Sequence, residues 1–241
     1  MHPDVPPGRT PADILAPLLR AEPFRACALV LDGEGIPLGA LNDRDRIAGL
    51  LRGFAASQRV PPGRALASLW FCRYLAVVLP HAVLALAMAG WRFPIDVPEP
   101  RLRVDRGGGQ PVALVLSGIG GACDAPLDAA LTPVLDAYVQ PLVLLLEEMA
   151  GLPRQVAWSN LASLVEHCAR YALRHGAERG RVEPLLAWTY PAWARVGALG
   201  DFIGRAADGQ RRRRICCLCF ELGGRWCRDC PARLPAEGRP S

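Results

Sequence analysis

The sequence predicts a mainly α protein: a helical domain with one or two small β-hairpins, followed by a short C-terminal cysteine-rich segment. Three observations predict it. Apolar residues recur at helical spacing in several long stretches, as in Ile47, Leu50, Leu51 and Phe54, or Trp158, Leu161, Val165, Cys168 and Ala172. Alternating patterns flanked by turn residues are confined to short stretches. Five of the nine cysteines fall between Cys216 and Cys230. A chain of 241 residues can bury a sizeable core without disulfides.

The elements follow in order. Thr10 caps a short helix with Pro11 in its first turn. "ACALVLDGEGIPLGAL" sets two apolar runs around Asp-Gly-Glu-Gly and reads as a hairpin. Asn42 or Asp43 caps the helix of Ile47 and Phe54, which "VPPG" ends. The most apolar stretch, residues 64–91, reads as two buried helices joined at Pro80, because Arg73 and Pro80-His81 interrupt it before it reaches the about 20 residues a bilayer needs. "RLRVDRGGGQPVALVLSG" is a two-stranded hairpin turning through three glycines, and "IGGACDAPLD" is a loop. Val134, Tyr138, Leu142, Leu145 and Met149 make a helical stripe kinked by Pro141; Trp158 to Ala172 make another. One or two further helices break near Pro191, and "AADGQ" links residues 1–205 to the segment 206–241.

Composition removes several functions. All 28 basic side chains are arginine, which excludes a Schiff-base lysine and a Walker-type phosphate loop. The glycines around Gly118 lack dinucleotide spacing. The net charge of +5 is modest and mostly interleaved with acids; only Arg211 to Arg214 form a block, and the aromatic residues are scattered, so nucleic acid is not an expected partner. "MHPDVPPGRTPAD" lacks a secretory pattern, so a reducing, cytoplasmic setting is expected, with at most peripheral contact at the inner face of the membrane. Cys27, Cys72, Cys123 and Cys168 sit singly among apolar neighbours, as buried structural thiols do. Glu166, His167 and Cys168 are helix neighbours that do not face one another, and Glu147-Glu148 is a solvated face; neither is a catalytic dyad.

The chemistry therefore concentrates in "RRRRICCLCFELGGRWCRDCP". Cys216 and Cys217 are adjacent, nine residues precede Cys227, and Cys227-Arg-Asp-Cys230 is a CxxC; Gly223 and Gly224 let the chain double back. Four thiolates packed together need an inorganic centre to offset their charge. A four-cysteine zinc site normally uses two CxxC knuckles, and an adjacent pair is an awkward bite for one tetrahedral ion. A [2Fe–2S] cluster spreads its thiolates over two irons and tolerates irregular spacing better. Spacing thus favours iron–sulfur and leaves zinc open, with a zinc-binding interaction module or an unrelated electron carrier as rival functions.

This tail resembles the FhuF-type ferric siderophore reductases, which carry an adjacent Cys-Cys, ten residues, then Cys-x-x-Cys around a [2Fe–2S] cluster. The matching residues are Cys216, Cys217, Cys227 and Cys230, with a basic lead-in and Pro231 after the last cysteine. "LPRQVAWSN", with Trp158 to Asn160 opening a helix, is similar to the family's central region. Two departures stand out: the gap is nine residues, and Cys219 is extra and lies outside the four. The resemblance implies one-electron reduction of a ferric siderophore to release Fe(II), with those four cysteines holding the cluster. No flavin or nicotinamide fingerprint is present, so the electron is expected from a separate donor such as a ferredoxin or flavin reductase. Arginines 211–214 would raise the cluster's potential, attract anionic chelates, or simply form a solvated linker.

Overall fold

The computed structural model describes residues 28–94, 99–118, 120–193, 197–205, 209–223, 227 and 229–231. The helix expected at Thr10, Cys27 and Gly224 lie outside them. Within the described residues the chain is mainly helical, with three small sheets.

Five α-helices carry most of the core: α1 (Arg44–Gln58), α2 (Arg64–Ala89), α3 (Leu127–Val134), α4 (Gln140–Ala150) and α5 (Arg154–Arg174), followed by the short α6 (Arg179–Leu186). Asp43 caps α1 as expected, its carboxylate accepting from the Arg46 amide at 2.8 Å. Of α2, by contrast, two helices were expected and one is found. Proline removes a backbone bond and crowds the preceding turn, but α2 is enclosed almost all round. Val77, Val78, Leu79, His81 and Leu84 are all buried, so packing on either side of Pro80 holds both halves in one helix. Gly90, at φ 59°, ends it in the left-handed conformation.

The α3–α4 stretch is interrupted as anticipated, though by a π turn at Leu135–Val139 just before Pro141. Proline has no N–H to donate backward, and a widened turn accommodates that loss. The Tyr74 hydroxyl donates to the Tyr138 carbonyl inside this turn at 2.9 Å. Two stretches, Arg64–Ala89 and Leu127–Ala150, are long and apolar enough to cross a bilayer; the first is 78% buried inside the protein and the second 50%.

The hairpin expected around Asp-Gly-Glu-Gly does not form. Its arms, β1 (Ala28–Leu31) and β2 (Ile36–Pro37), lie at opposite edges of one four-stranded sheet ordered β1-β5-β4-β2. β4 (Arg101–Val104) and β5 (Pro111–Leu116) do form the expected hairpin between them. β5 is apolar at nearly every position and buried on both faces, so it takes the centre, with β1 parallel beside it and β2 antiparallel to β4. A two-residue pairing of β3 (Trp91–Arg92) with β6 (Gly121–Ala122) gives the loop after Gly118 a little order.

Beyond α6 the expected helices are short 3-10 turns at Pro191–Trp193 and Leu199–Phe202. Trp158, Trp188, Tyr190, Trp193 and Phe202 pack there as one aromatic cluster. Next, β7 (Ile203–Arg205) pairs antiparallel with β8 (Arg211–Arg213), so the arginine block begins as a strand docked on the helical body. α2 packs along α5, and the tail crosses both.

Candidate metal centre

The centre is built from the tail and from the polar face that α2 and α5 turn toward it. In β8, Arg211 and Arg213 are two residues apart and share a face. That face meets successive turns of α5, where Ser159-Asn160, Ser163 and Glu166 are stacked. Arg211 donates to Glu166 Oε2 at 2.7 Å, to the Ser163 carbonyl and hydroxyl at 3.0 Å each, and to the Asp229 carboxylate. Glu166 is buried and also holds Arg170. The Arg213 amide donates to the Asp229 carbonyl at 2.9 Å, which ties the strand to the CxxC.

Arg213 itself is 7% exposed. Its Nη2 donates to Asn160 Oδ1 and to Ser159 Oγ, the latter at 3.2 Å. Asn160 donates in turn to Ser68 Oγ at 3.0 Å, and Ser68 donates to the Cys217 carbonyl at 2.6 Å. Ser159 donates to the Ile215 carbonyl at 3.3 Å. A hydrogen-bonded line thus runs from a buried guanidinium, through α5 and α2, to the backbone of one cysteine. It works because Trp158 turns into the aromatic cluster while the next two residues, 100° apart on the helix, face the tail.

Cys217 and Cys227 pair, their sulfurs 3.6 Å apart. The turn after the adjacent cysteines directs Cys216: Leu218 adopts the left-handed conformation, φ 65°, and its amide points at Cys216 Sγ, 3.4 Å away. Gly223, φ 98°, begins the return toward Cys227 as the sequence suggested. All eight described cysteines are free thiols. A tetrahedral metal with bonds of about 2.3 Å sets its ligand sulfurs about 3.8 Å apart, so the Cys217–Cys227 pair already has the bite of two ligands on one metal. Among the described residues, no three His, Cys, Asp or Glu side chains surround a single point.

Electrostatics agree with a thiolate site. Hydrogen bonds from the Cys219 and Cys227 thiols, helped by Arg213, pull Cys217 down to about 2 against the effect of burial. Cys216 is pushed up by burial, with the Leu218 amide opposing; Cys219 and Cys227 are pushed up chiefly because they hydrogen-bond the Cys217 thiolate. The residues fit a metal–thiolate group on a second count: among the described residues the buried Arg213 Nε has no hydrogen-bond partner. A buried cation needs an anion beside it, a part that the thiolates of a bound centre would fill.

Two residues that the spacing argument set aside belong here. Cys219 lies against Cys217, its sulfur 3.9 Å from the Cys217 carbonyl. Cys72, on α2, is half-buried rather than a core thiol; burial pushes it up to about 12, and the charges of Arg213 and Cys217 act on it directly. It lines a cleft of about 230 Å³ with His167, Arg211, Arg213 and Asp229, on the flank of the cysteine centre. Cys168 is fully buried in the core, as its apolar setting implied, and Cys123 is half-buried away from the centre. Glu166, His167 and Cys168 go separate ways: an arginine clamp, the cleft and the core. Glu147 and Glu148 pair with Arg154 and Arg44 at the surface.

No curated protein matches the chain. A family model, described as ferric iron reductase FhuF-like transporter, matches residues 68–196. The match begins at Ser68 and includes Ser159, Asn160 and Glu166, the side chains that seat the tail, and ends before the cysteines. The chain belongs to the ferric iron reductase FhuF-like family.

Proposed function

We propose that the protein is a ferric siderophore reductase, which passes one electron to an Fe(III)–siderophore complex and so releases Fe(II) from a chelator that holds it far more weakly. The observation that carries this reading is the close pairing of Cys217 with Cys227, beside the adjacent Cys216, a buried Cys230 and a buried arginine. An adjacent pair and a CxxC suit a two-iron centre better than a single zinc, and a [2Fe–2S] cluster supplies a one-electron carrier when bound. Cys216, Cys217, Cys227 and Cys230 would hold it. Family membership supports reduction of ferric iron as the chemistry.

The surrounding residues have definite tasks in this scheme. The Leu218 amide donates toward the Cys216 sulfur, and such bonds favour the more negative, reduced state. Ser68, Asn160 and Ser159 fix the backbone on both sides of Ile215-Cys216-Cys217, so the thiols keep their places when the charge changes. Ferric reduction by outer electron transfer needs no acid–base pair, in keeping with the structural roles of Glu166 and Cys168. The electron comes from a separate donor of the ferredoxin or flavin-reductase class. Cytoplasmic work, with at most peripheral membrane contact, is part of the same proposal.

Anaerobic purification with iron, zinc and sulfide analysis tests it. Iron and sulfide in equal amounts are expected, with an EPR signal that appears on dithionite reduction and is absent from Cys227→Ser. Stoichiometric zinc without labile sulfide, even after iron reconstitution, overturns the reading in favour of a zinc-binding interaction module.

A further inference from the structure

The four arginines before the cysteines have the same formal charge, but the fold treats them differently. Arg211 is answered by two carboxylates, Glu166 and Asp229. Arg214 is exposed. Arg213 is buried, its side-chain hydrogen bonds among the described residues go to the neutral Ser159 and Asn160, and its Nε has no partner. Its surroundings are those of the cysteines: its amide donates to the carbonyl of Asp229, between Cys227 and Cys230, and Asn160 and Ser68 link its guanidinium to the Cys217 carbonyl. A fold that encloses a cation at one position, with neutral side chains as its hydrogen-bond acceptors, and links it by hydrogen bonds to the backbone of a ligand cysteine, has placed that charge for the centre it faces.

We infer that Arg213 is the internal counter-charge of the cysteine centre and sets its reduction potential, whereas the rest of the arginine block does not. The inference rests on the iron–sulfur reading above. Reduction adds one electron to the centre and makes it more negative by one charge; a fixed cation close by, screened from water, stabilises that state more than the oxidised one. Arg213 acts through the centre and is a positioning and tuning residue.

The test is a redox titration of the visible and EPR signals in the wild type and in Arg213→Gln, Arg213→Lys, Asn160→Asp and Arg214→Gln. A midpoint is read from whatever fraction carries the cluster, so partial loading does not obscure it. Arg213→Gln is expected to lower the ratio of reduced to oxidised cluster at fixed potential at least tenfold, which is 59 mV for a one-electron couple. Arg213→Lys, which keeps the charge, restores most of that difference. Asn160→Asp cancels the charge without removing the guanidinium and gives the same direction of change even if Arg213→Gln holds no cluster. Arg214→Gln removes an equal formal charge at the surface and shifts the midpoint little. Equal midpoints in wild type, Arg213→Gln and Asn160→Asp overturn the inference, as does a shift in Arg214→Gln as large as theirs. Zinc in place of iron in the wild type is a different failure, that of the iron–sulfur reading itself, and metal analysis before the titration identifies it.

Discussion

The helical body and the cysteine tail are held by different forces. In the body, α2 and α5 bury side chains such as Trp70, Phe71, Val78, Leu161 and Val165 almost completely, and each fully buried aliphatic contributes about 1.5–3 kcal/mol. Among the described residues of the tail, Arg213, Cys217 and Cys230 are buried, and Ile215 and Leu218 are partly buried against the core; its other anchors are hydrogen bonds and ion pairs to Ser68, Ser159, Asn160, Ser163 and Glu166. The body is thus a scaffold able to fold by hydrophobic burial, and the tail a polar strap whose order depends on the scaffold beneath it and the centre it encloses. A protein built this way can lose its centre without losing its fold, while damage to the scaffold takes both.

Substitutions can separate the two. The largest effect expected is from Cys227→Ser: complete loss of the bound centre, read by metal analysis, with the helical circular-dichroism spectrum of the body retained. Leu161→Ala works from the other side. It empties a site that is 0% exposed and is expected to cost about 2–5 kcal/mol of global stability, measured by urea unfolding, with the centre lost only as the body unfolds. Asn160→Ala lies on the boundary. It removes the acceptor for buried Arg213 and the donor to Ser68, a loss of about 1–3 kcal/mol, expected to appear as faster release of iron to a chelator together with a fall of several degrees in melting temperature.

A pH effect sharpens the contrast. Burial in α2 pushes His81 down from 6.5 to about 4, a backbone contact at Ala28 opposing only in part. Between those values the unfolded chain binds a proton that the folded one does not, so this residue favours the folded state above pH 6.5 and loses that effect as pH falls toward 4. His81→Leu is expected to flatten the acid limb of the body's stability in that window, as measured by unfolding at several pH values. The smallest effect is expected from Arg64→Ala, which breaks the exposed bond to Glu221 at 2.8 Å; no resolvable change in melting temperature or metal content should follow.

Much of the body was legible in the sequence, because burial leaves a periodic record. The α1 cap at Asp43, the stripe of α5 and the β4–β5 hairpin all follow from local spacing. The errors came where distant parts decide. Pro80 reads as a break, yet packing around α2 overrides it. Asp-Gly-Glu-Gly reads as a hairpin turn, yet β1 and β2 find better partners in β5 and β4, more than sixty residues away in register. In the tail, spacing picked out four cysteines, of which the structure brings Cys217 and Cys227 within 3.6 Å of each other. Which arginine matters was not readable: "RRRR" is uniform until β8 docks on α5 and turns Arg211 and Arg213 inward. The one available signal was the strand period combined with Ser159-Asn160, Ser163 and Glu166 at helical intervals in the most family-like region. Cys72 and Cys219 looked like bystanders because nothing local shows that α2 passes behind the centre.

The most direct test of the central claim is a single turnover. Protein reduced with one equivalent of dithionite, freed of excess reductant, is mixed anaerobically with a ferric trihydroxamate chelate and a colorimetric Fe(II) trap. The account predicts one trapped Fe(II) per centre, appearing at the same rate as the visible spectrum returns to its oxidised form, and none from Cys227→Ser. A centre that stays reduced beside an intact ferric chelate would contradict it.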